Sequence, residues 1–379
     1  MLKKLMTMFS SLFRQQKSRQ LTEFDNDVII LMNKHRINTV GYAIIDNFNI
    51  VAANTIGGNA SININSIFQA CSLSKSLTAY AALNLAAQNK LFLDLPINQQ
   101  LKSWKLSHSE YADIVTVRHC LNMTSGLSFG DPGTFFSGYG QYAALPTLLQ
   151  ILKGEKPATN PPIKIIYEPG TKYFYSGAGF MILQQLIEDI VGMNFALYMN
   201  DKFLPKLGML RSTFECPLSE TYRKLAINGY KSDKQQIEGG WDHVVGSASG
   251  GLWSTPSDLA NFCIYLSRLY VDKAGATVEK KLIKEMLAEY QNTDFGLGLV
   301  VDAVSGALNF RKNGHNAGYH CEMLMFPEYG KGVVVMTNSA SGIEFVNEFI
   351  ATISDELNWP AYRKDFNELV SSPVVKRLK

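Results

Sequence analysis

A serine and a lysine three residues apart, Ser72 and Lys75, form the clearest chemical pattern in the sequence. At the start of a helix, residues spaced i and i+3 share one face, with Cβ atoms about 5–6 Å apart. A serine hydroxyl is a poor nucleophile until a base removes its proton, and a lysine becomes such a base when burial or a second cation lowers its pKa. The spacing therefore indicates an activated serine. Taken alone, S-x-x-K also describes an N-cap serine followed by a surface lysine.

Two later segments contain groups of the same kind. Tyr175–Gly177 follows a Pro-Gly turn, and Lys312–Gly314 lies on the predicted edge strand ALNFRKNG. In chain order the three segments are S-x-x-K, Y-S-G and K-N-G. This order resembles the set used by serine β-lactamases and penicillin-binding proteins.

The resemblance extends over longer segments, from about residue 25 to 358. They are similar to those of the class C β-lactamase-like serine hydrolases, a group that includes DD-peptidases, D-aminopeptidases and family VIII carboxylesterases. In chain order the segments are FQACSLSKSLTAYAALNLAAQNKLFLDLPIN, VTVRHCLNMTSGL, EPGTKYFYSGAGFMILQQLIEDIVG, SGGLWSTPSDLANF and KNGHNAGYHCEMLMFPE. So many matches in order are more specific than any single motif.

The resemblance implies a role for each reacting group. Ser72 would be the acylating nucleophile and Lys75 its base partner. Tyr175 would pass the proton to the leaving group and later activate water. The backbone N–H groups of Ser72 and His315 would form the oxyanion hole, where each donor commonly contributes a factor of about 10²–10³ in rate.

The resemblance also assigns substrate binding to Lys312, Gly314 and Gly177. Lys312 would hold a substrate carboxylate, or use its charge to keep Lys75 neutral and Tyr175 ionised. Many esterase members carry His or Trp at this position, so lysine favours carboxylate-bearing substrates such as peptides that end in a D-amino acid. Gly177 departs from the family's Y-x-N. In β-lactamases that asparagine binds the acylamino group of the substrate, so glycine here disfavours β-lactamase activity.

These implications favour a serine hydrolase that cleaves an ester or amide bond through an acyl-enzyme. D-amino-acid peptides and small carboxylic esters both stay open as substrates, and true β-lactamase activity ranks behind them. The rival interpretation is a non-catalytic scaffold or binding protein that retains the fold, which leaves the joint presence of Lys75 and Tyr175 without a chemical reason. We expect neither metal nor cofactor, because serine, lysine and tyrosine supply both the nucleophile and the proton transfer.

The sequence patterns of the segments that position these groups predict an α+β fold. A helix around Asp25–His35 precedes two β-branched runs separated by Asn47–Asn49, which is a hairpin signal. The segment Ser72–Asn89 is apolar on every side, so this helix should be buried. Strand signals return in FGLGLVVDA, ALNFRK, HCEMLMF and GVVVMTNS, before a final helix, GIEFVNEFIATISDEL. The economical assembly is one antiparallel sheet from both ends of the chain, flanked by the first and last helices, with a mainly helical region at about 72–290.

Composition limits the classes of protein that this chain can represent. It has 379 residues, 46% of them apolar, and a net charge of +3. The apolar content excludes a disordered chain, and the balanced charge excludes an electrostatic nucleic-acid footprint. We expect a single catalytic domain at 21–358, between a leader at 1–20 and a tail at 359–379. The leader is either a basic amphipathic helix or a disordered segment, and no signal-peptidase cleavage motif follows it.

The expected partner is a small-molecule or peptide substrate, with no nucleic acid and with peripheral membrane contact through residues 1–20 as an open alternative. Because the leader lacks a cleavage motif, we expect a cytoplasmic or membrane-peripheral location in preference to a periplasmic one. The five cysteines are scattered and contain no C-x-x-C pair, which argues against a disulfide framework or a zinc site.

Overall fold

The computed structural model describes residues 23–360, apart from 59–60, 108, 130–137, 273–276, 291–292 and 304–305. The predicted leader and residues 361–379 of the predicted tail lie outside the described residues. Trp359, the first residue of that predicted tail, is buried against Phe326, with ring centroids 5.8 Å apart.

Both ends of the chain contribute to one antiparallel sheet of six strands. The strands of the described chain are β1 Thr39–Asp46, β2 Asn49–Gly57, β3 Phe68–Gln69, β4 Leu127–Ser128, β5 Lys164–Ile165, β6 Trp253–Ser254, β7 Val300–Asp302, β8 Asn309–Asn316, β9 Tyr319–Phe326 and β10 Lys331–Thr337. The order in the large sheet is β2-β1-β10-β9-β8-β7, and two-stranded ladders join β3 to β6 and β4 to β5. The predicted sheet built from both termini is confirmed.

The helices of the described chain occupy mainly the middle of the sequence. They are α1 Glu23–His35, α2 Ser74–Ala87, α3 Ile97–Gln100, α4 Val117–Leu121, α5 Leu148–Lys153, α6 Gly177–Val191, α7 Phe195–Lys202, α8 Glu220–Arg223, α9 Ser247–Gly250, α10 Pro256–Val271, α11 Val278–Met286 and α12 Ile343–Glu356. A 3-10 turn, Cys71–Leu73, leads directly into α2. This α+β layering agrees with the prediction.

The predicted first hairpin joins β1 to β2 through Asn47 and Phe48. Both residues have positive φ, +47° and +59°. Two consecutive residues of this kind form the turn that matches the twist of paired strands, and asparagine tolerates it well. The hairpin therefore follows from a local signal.

Helices cover both faces of the large sheet. On the outer face, α1 and α12 pack over a cluster that includes Val28, Phe349 and Leu324. On the inner face, α10 packs against β1, β9 and β10. Strand β9 is consequently buried along its whole length. Burial at every position reflects cover on both faces, whereas burial would alternate along a half-exposed strand.

The central helix α2 is buried along most of its length, as its apolar sequence predicts. Two boundaries differ from the prediction. Ser72 lies in the 3-10 turn before α2 and not in the α-helix itself, because Cys71 has a φ of +51°, outside the helical region. The predicted strand FGLGLVVDA is reduced to Val300–Asp302, since Gly298 has a φ of +82° and turns the chain before it can pair.

No single helix in the described ranges is both long and apolar enough to cross a bilayer. One bent pair, α6 with α7, passes the same test of length and composition, with an angle of 73° between its halves.

Candidate active site

The turn that carries Ser72 is fixed by hydrogen bonds from two directions. The Ser74 hydroxyl donates to the carbonyl of Cys71 at 2.6 Å and accepts from the N–H of Leu252 at 3.0 Å. Just upstream, β3 pairs with β6. The start of α2 is therefore joined to the segment around 250–254. Ser72 sits on a rigid support, as a nucleophile held at a defined angle requires.

Lys75 lies one turn beyond Ser72 and is almost fully buried, with 2% of its surface exposed. Its Nζ is 3.1 Å from Ser72 Oγ. The same Nζ donates to the backbone carbonyl of Ser249, and Ser249 Oγ lies 3.2 Å from it. These contacts direct the amine at the serine hydroxyl.

Tyr175 also contacts Ser72. Its hydroxyl donates to Ser72 Oγ at 2.8 Å, although 103 residues separate the two in sequence. Two lysine amines also lie near the Tyr175 ring, with Lys75 Nζ 5.2 Å and Lys312 Nζ 4.8 Å from its centroid. The serine hydroxyl is thus within reach of two groups that can take up its proton.

Lys312 is fully buried on the inner face of β8. Its Nζ has no hydrogen-bond partner among the residues that the structure describes, and the nearest rings are those of Tyr175 and Phe295, at 4.8 and 5.7 Å. Burying an ammonium group without a partner is costly. An anionic group of a ligand is the natural partner for such a cation.

The packing of these groups shifts the pKa values of Lys75 and Tyr175. Burial lowers the pKa of Lys75, the neighbouring Tyr175 opposes this, and the charge of Lys312 lowers it further. Burial by itself raises the pKa of Tyr175, but the positive charges of Lys312 and Lys75, together with hydrogen bonds to Ser72 and Lys75, outweigh burial and lower the pKa to about 7. Near neutral pH the Tyr175 phenol can therefore act as a proton acceptor within hydrogen-bond distance of the serine.

The residues after Lys312 form a free edge of the sheet beside the nucleophile. Strand β7 pairs with β8 only as far as Arg311. A Cβ at Gly314 would lie 2.9 Å from the backbone nitrogen of Ser72 and 2.7 Å from Cys71 Cβ, so only glycine allows this approach. The next peptide group, with the N–H of His315, is adjacent to the turn. Asn316 fastens the strand end by donating to Gln69 and to the Gly250 carbonyl.

The structure brings together Ser72, Lys75, Tyr175 and Lys312, four residues that the sequence singles out from three distant segments. Gly314 lies against the backbone of residues 70–72, and Gly177 lies at the first position of α6. Their contacts with a substrate, and the oxyanion roles of the Ser72 and His315 N–H groups, stay predictions. In the described part of the chain, no group of three or more His, Cys, Asp or Glu side chains is placed to hold a metal ion.

Sequence reasoning missed one member of the site, Ser249. It is the first residue of the segment SGGLWSTPSDLANF, but nothing in that pattern indicates that residue 249 touches Lys75. The contact joins residues 174 positions apart. Only the packing of α9 against α2 reveals it.

The family model described as Beta-lactamase matches residues 19–352 of this chain. Among curated relatives, penicillin-binding protein 4 of Amycolatopsis lactamdurans is 22% identical over 321 residues, which cover 79% of this chain and 80% of that protein. Protein flp of Staphylococcus aureus (strain MW2) is 22% identical over 193 residues, which cover 50% of this chain. The match spans only 35% of the length of flp.

A solved structure of the octameric penicillin-binding protein homologue from Pyrococcus abyssi is similar to this chain, with a TM-score of 0.69 and 22% identity. The alignment covers 90% of this chain and 78% of that one. At this identity the likeness shows a shared fold, which agrees with the α+β arrangement expected from the sequence.

Proposed function

Because the chain belongs to the beta-lactamase family, we propose that it is a serine hydrolase that cleaves an ester or amide bond through an acyl-enzyme. One observation carries the proposal. Ser72 Oγ lies 3.1 Å from Lys75 Nζ and 2.8 Å from the Tyr175 hydroxyl. A nucleophile within hydrogen-bond reach of its bases is the arrangement that activates a serine.

Acylation follows from this geometry. Ser72 Oγ attacks the substrate carbonyl carbon while its proton passes to the ionised Tyr175, either directly or through Lys75. The N–H groups of Ser72 and His315 stabilise the resulting oxyanion. When the bond to the leaving group breaks, Tyr175 returns a proton to the departing oxygen or nitrogen. The substrate's acyl group remains bound to Ser72 as an ester, which is the acyl-enzyme.

In deacylation water replaces Ser72 as the nucleophile, and Tyr175 acts as its base. The Tyr175 phenolate takes a proton from water, and the hydroxide attacks the ester carbonyl. The bond to Ser72 Oγ then breaks, and Oγ recovers a proton. A pKa of about 7 at Tyr175 suits a group that must both donate and accept protons near neutral pH.

The buried ammonium of Lys312, which has no hydrogen-bond partner within the described ranges, supports substrates that carry a carboxylate. Peptides ending in a D-amino acid meet this requirement, and so do small esters with a free acid group. Gly177, in place of the asparagine of Y-x-N, argues against true β-lactamase activity.

The test is intact-mass spectrometry after treatment with a fluorophosphonate, on the full chain and on Ser72→Ala. We expect one adduct on the wild-type protein and none on the variant. Circular dichroism and a thermal melt would establish that both proteins are folded. If folded wild-type protein forms no adduct, the alternative of a non-catalytic scaffold or binding protein replaces this proposal.

A further inference from the structure

Ser249 contributes two acceptors to the environment of the Lys75 amine. The Lys75 Nζ donates to the Ser249 carbonyl, and Ser249 Oγ lies 3.2 Å from the same nitrogen. Ser72 Oγ is the third oxygen, at 3.1 Å. The carbonyl is a backbone atom that any residue at 249 would supply, whereas the hydroxyl belongs to serine.

The segment that carries Ser249 is held firmly in place. Thr78 Oγ1, on α2, donates to the Ala248 carbonyl at 2.9 Å. The Ala248 N–H donates to Gln184 Oε1, on α6, at 3.0 Å. Ser249 is therefore fixed between the helix that carries Lys75 and the helix that begins at Gly177.

The Ser249 hydroxyl also accounts for the presence of glycine at position 177. A Cβ built on Gly177 would lie 2.9 Å from Ser249 Oγ. Across the described residues, no other atom comes within 4 Å of it apart from its two chain neighbours and the nearby backbone of its own helix. The backbone there is the ordinary first turn of α6, so conformation does not require glycine. The Ser249 hydroxyl fills the space into which a side chain at 177 would project.

We propose that Ser249 is a positioning residue for Lys75, and that Gly177 is glycine because the Ser249 hydroxyl takes the place of its side chain. This inference rests on the proposed function. The hydroxyl limits the orientations of the Lys75 amine to those that face Ser72. It does not touch the substrate, so its loss slows acylation without weakening binding.

The first test measures fluorophosphonate labelling of Ser72 at several reagent concentrations, which separates the maximal labelling rate from the half-saturating concentration. For Ser249→Ala we expect the maximal rate to fall about 10-fold, the upper end of the range for one lost hydrogen bond, with the half-saturating concentration unchanged. The matched control is Ser267→Ala, which removes a buried hydroxyl bonded to the Cys263 carbonyl on α10. We expect it to label like the wild type.

The second test exploits the contact with Gly177. Gly177→Ala places a methyl group against the Ser249 hydroxyl, so it should also lower the maximal rate about 10-fold. In the double variant the two losses should not multiply, because both remove the same contact. About 10-fold is expected for the double variant, against about 100-fold for independent effects.

The results separate this inference from the proposed function. If the wild type does not label, the proposed function fails. If the wild type labels and Ser249→Ala matches Ser267→Ala, only the positioning role fails. A multiplied loss in the double variant also overturns it. Should Ser249→Ala not fold, a normal rate in folded Gly177→Ala would overturn the inference by itself.

Discussion

The outer and inner faces of the large sheet bury charged side chains in different ways. Arg311 and Lys312 are neighbours on β8 and point to opposite faces. On the outer face, Arg311 Nη1 lies 3.8 Å from Glu322 Oε1, and both side chains are buried. On the inner face, Lys312 and Lys75 are equally buried, but within the described chain neither forms an ion pair with a carboxylate.

The paired charges of the outer face affect the stability of the fold, whereas the unpaired cation of the inner face affects the reactivity of the site. A buried ion pair loses most of its value when one partner is removed, because the remaining charge is left without compensation. An unpaired buried cation instead raises the free energy of the empty protein and lowers the pKa of acids nearby. In the inner-face site that acid is Tyr175. The outer face thus pairs its two charges with each other, while among the described residues the inner face places the Lys312 charge beside Tyr175.

The largest predicted effect follows the replacement Lys312→Met. Two acylating probes that differ only in a free carboxylate or the matching carboxamide report the contribution of the ammonium group. We expect the wild type to prefer the carboxylate probe by about 100-fold, a typical value for a desolvated charge pair, and the variant to lose that preference. The measurement is the ratio of second-order labelling rates.

Lys312 also lowers the pKa of Tyr175, so both probes should react more slowly with the variant. The ratio of the two labelling rates cancels this common effect and reports the carboxylate preference alone. Urea unfolding of the same variant should show no loss of stability, since the replacement removes an unpartnered buried charge. A carboxylate preference that survives in Lys312→Met would contradict the assignment of this cation to the substrate.

The neighbouring replacement, Arg311→Met, should act on stability alone. It leaves Glu322 buried without its cation, and we expect a loss of about 3 kcal/mol in the free energy of unfolding. The labelling rate of the folded protein should not change. The double variant Arg311→Met, Glu322→Leu should recover much of the loss. Equal stability of Arg311→Met and Lys312→Met in urea would remove the distinction between the two faces.

How much the sequence predicts depends on how local each signal is. The hairpin at Asn47 and the burial of α2 follow from short segments, and so does the order of strands late in the chain. The grouping of Ser72, Lys75, Tyr175 and Lys312 came from resemblance, because no local pattern states that they meet. The contact of Ser249 with Lys75 depends on how α9 packs, and a one-dimensional pattern does not contain that information.

The smallest predicted effect is the pH dependence of stability that the inner face adds. The pKa of Tyr175 is about 7 in the folded protein against an ordinary value of 10. Between these values the unfolded chain holds a proton that the folded protein has lost, so the stability from Tyr175 increases as pH rises. Lys75, whose pKa is also lowered, acts in the same direction. Each group adds at most about 1.4 kcal/mol per pH unit.

Urea unfolding from pH 7 to 9 measures this slope, which should be smaller in Tyr175→Phe than in the wild type. Tyr142→Phe, at an exposed tyrosine, controls for the loss of a phenol. The contribution of Glu322, on the outer face, should change with pH in the opposite direction, because burial raises the pKa of Glu322 more than the charges of Arg311 and Lys312 lower it. Its contribution therefore decreases as pH rises above the ordinary glutamate value. A slope unchanged in Tyr175→Phe would mean that Tyr175 keeps its proton across this range, and Lys75 alone would then activate Ser72.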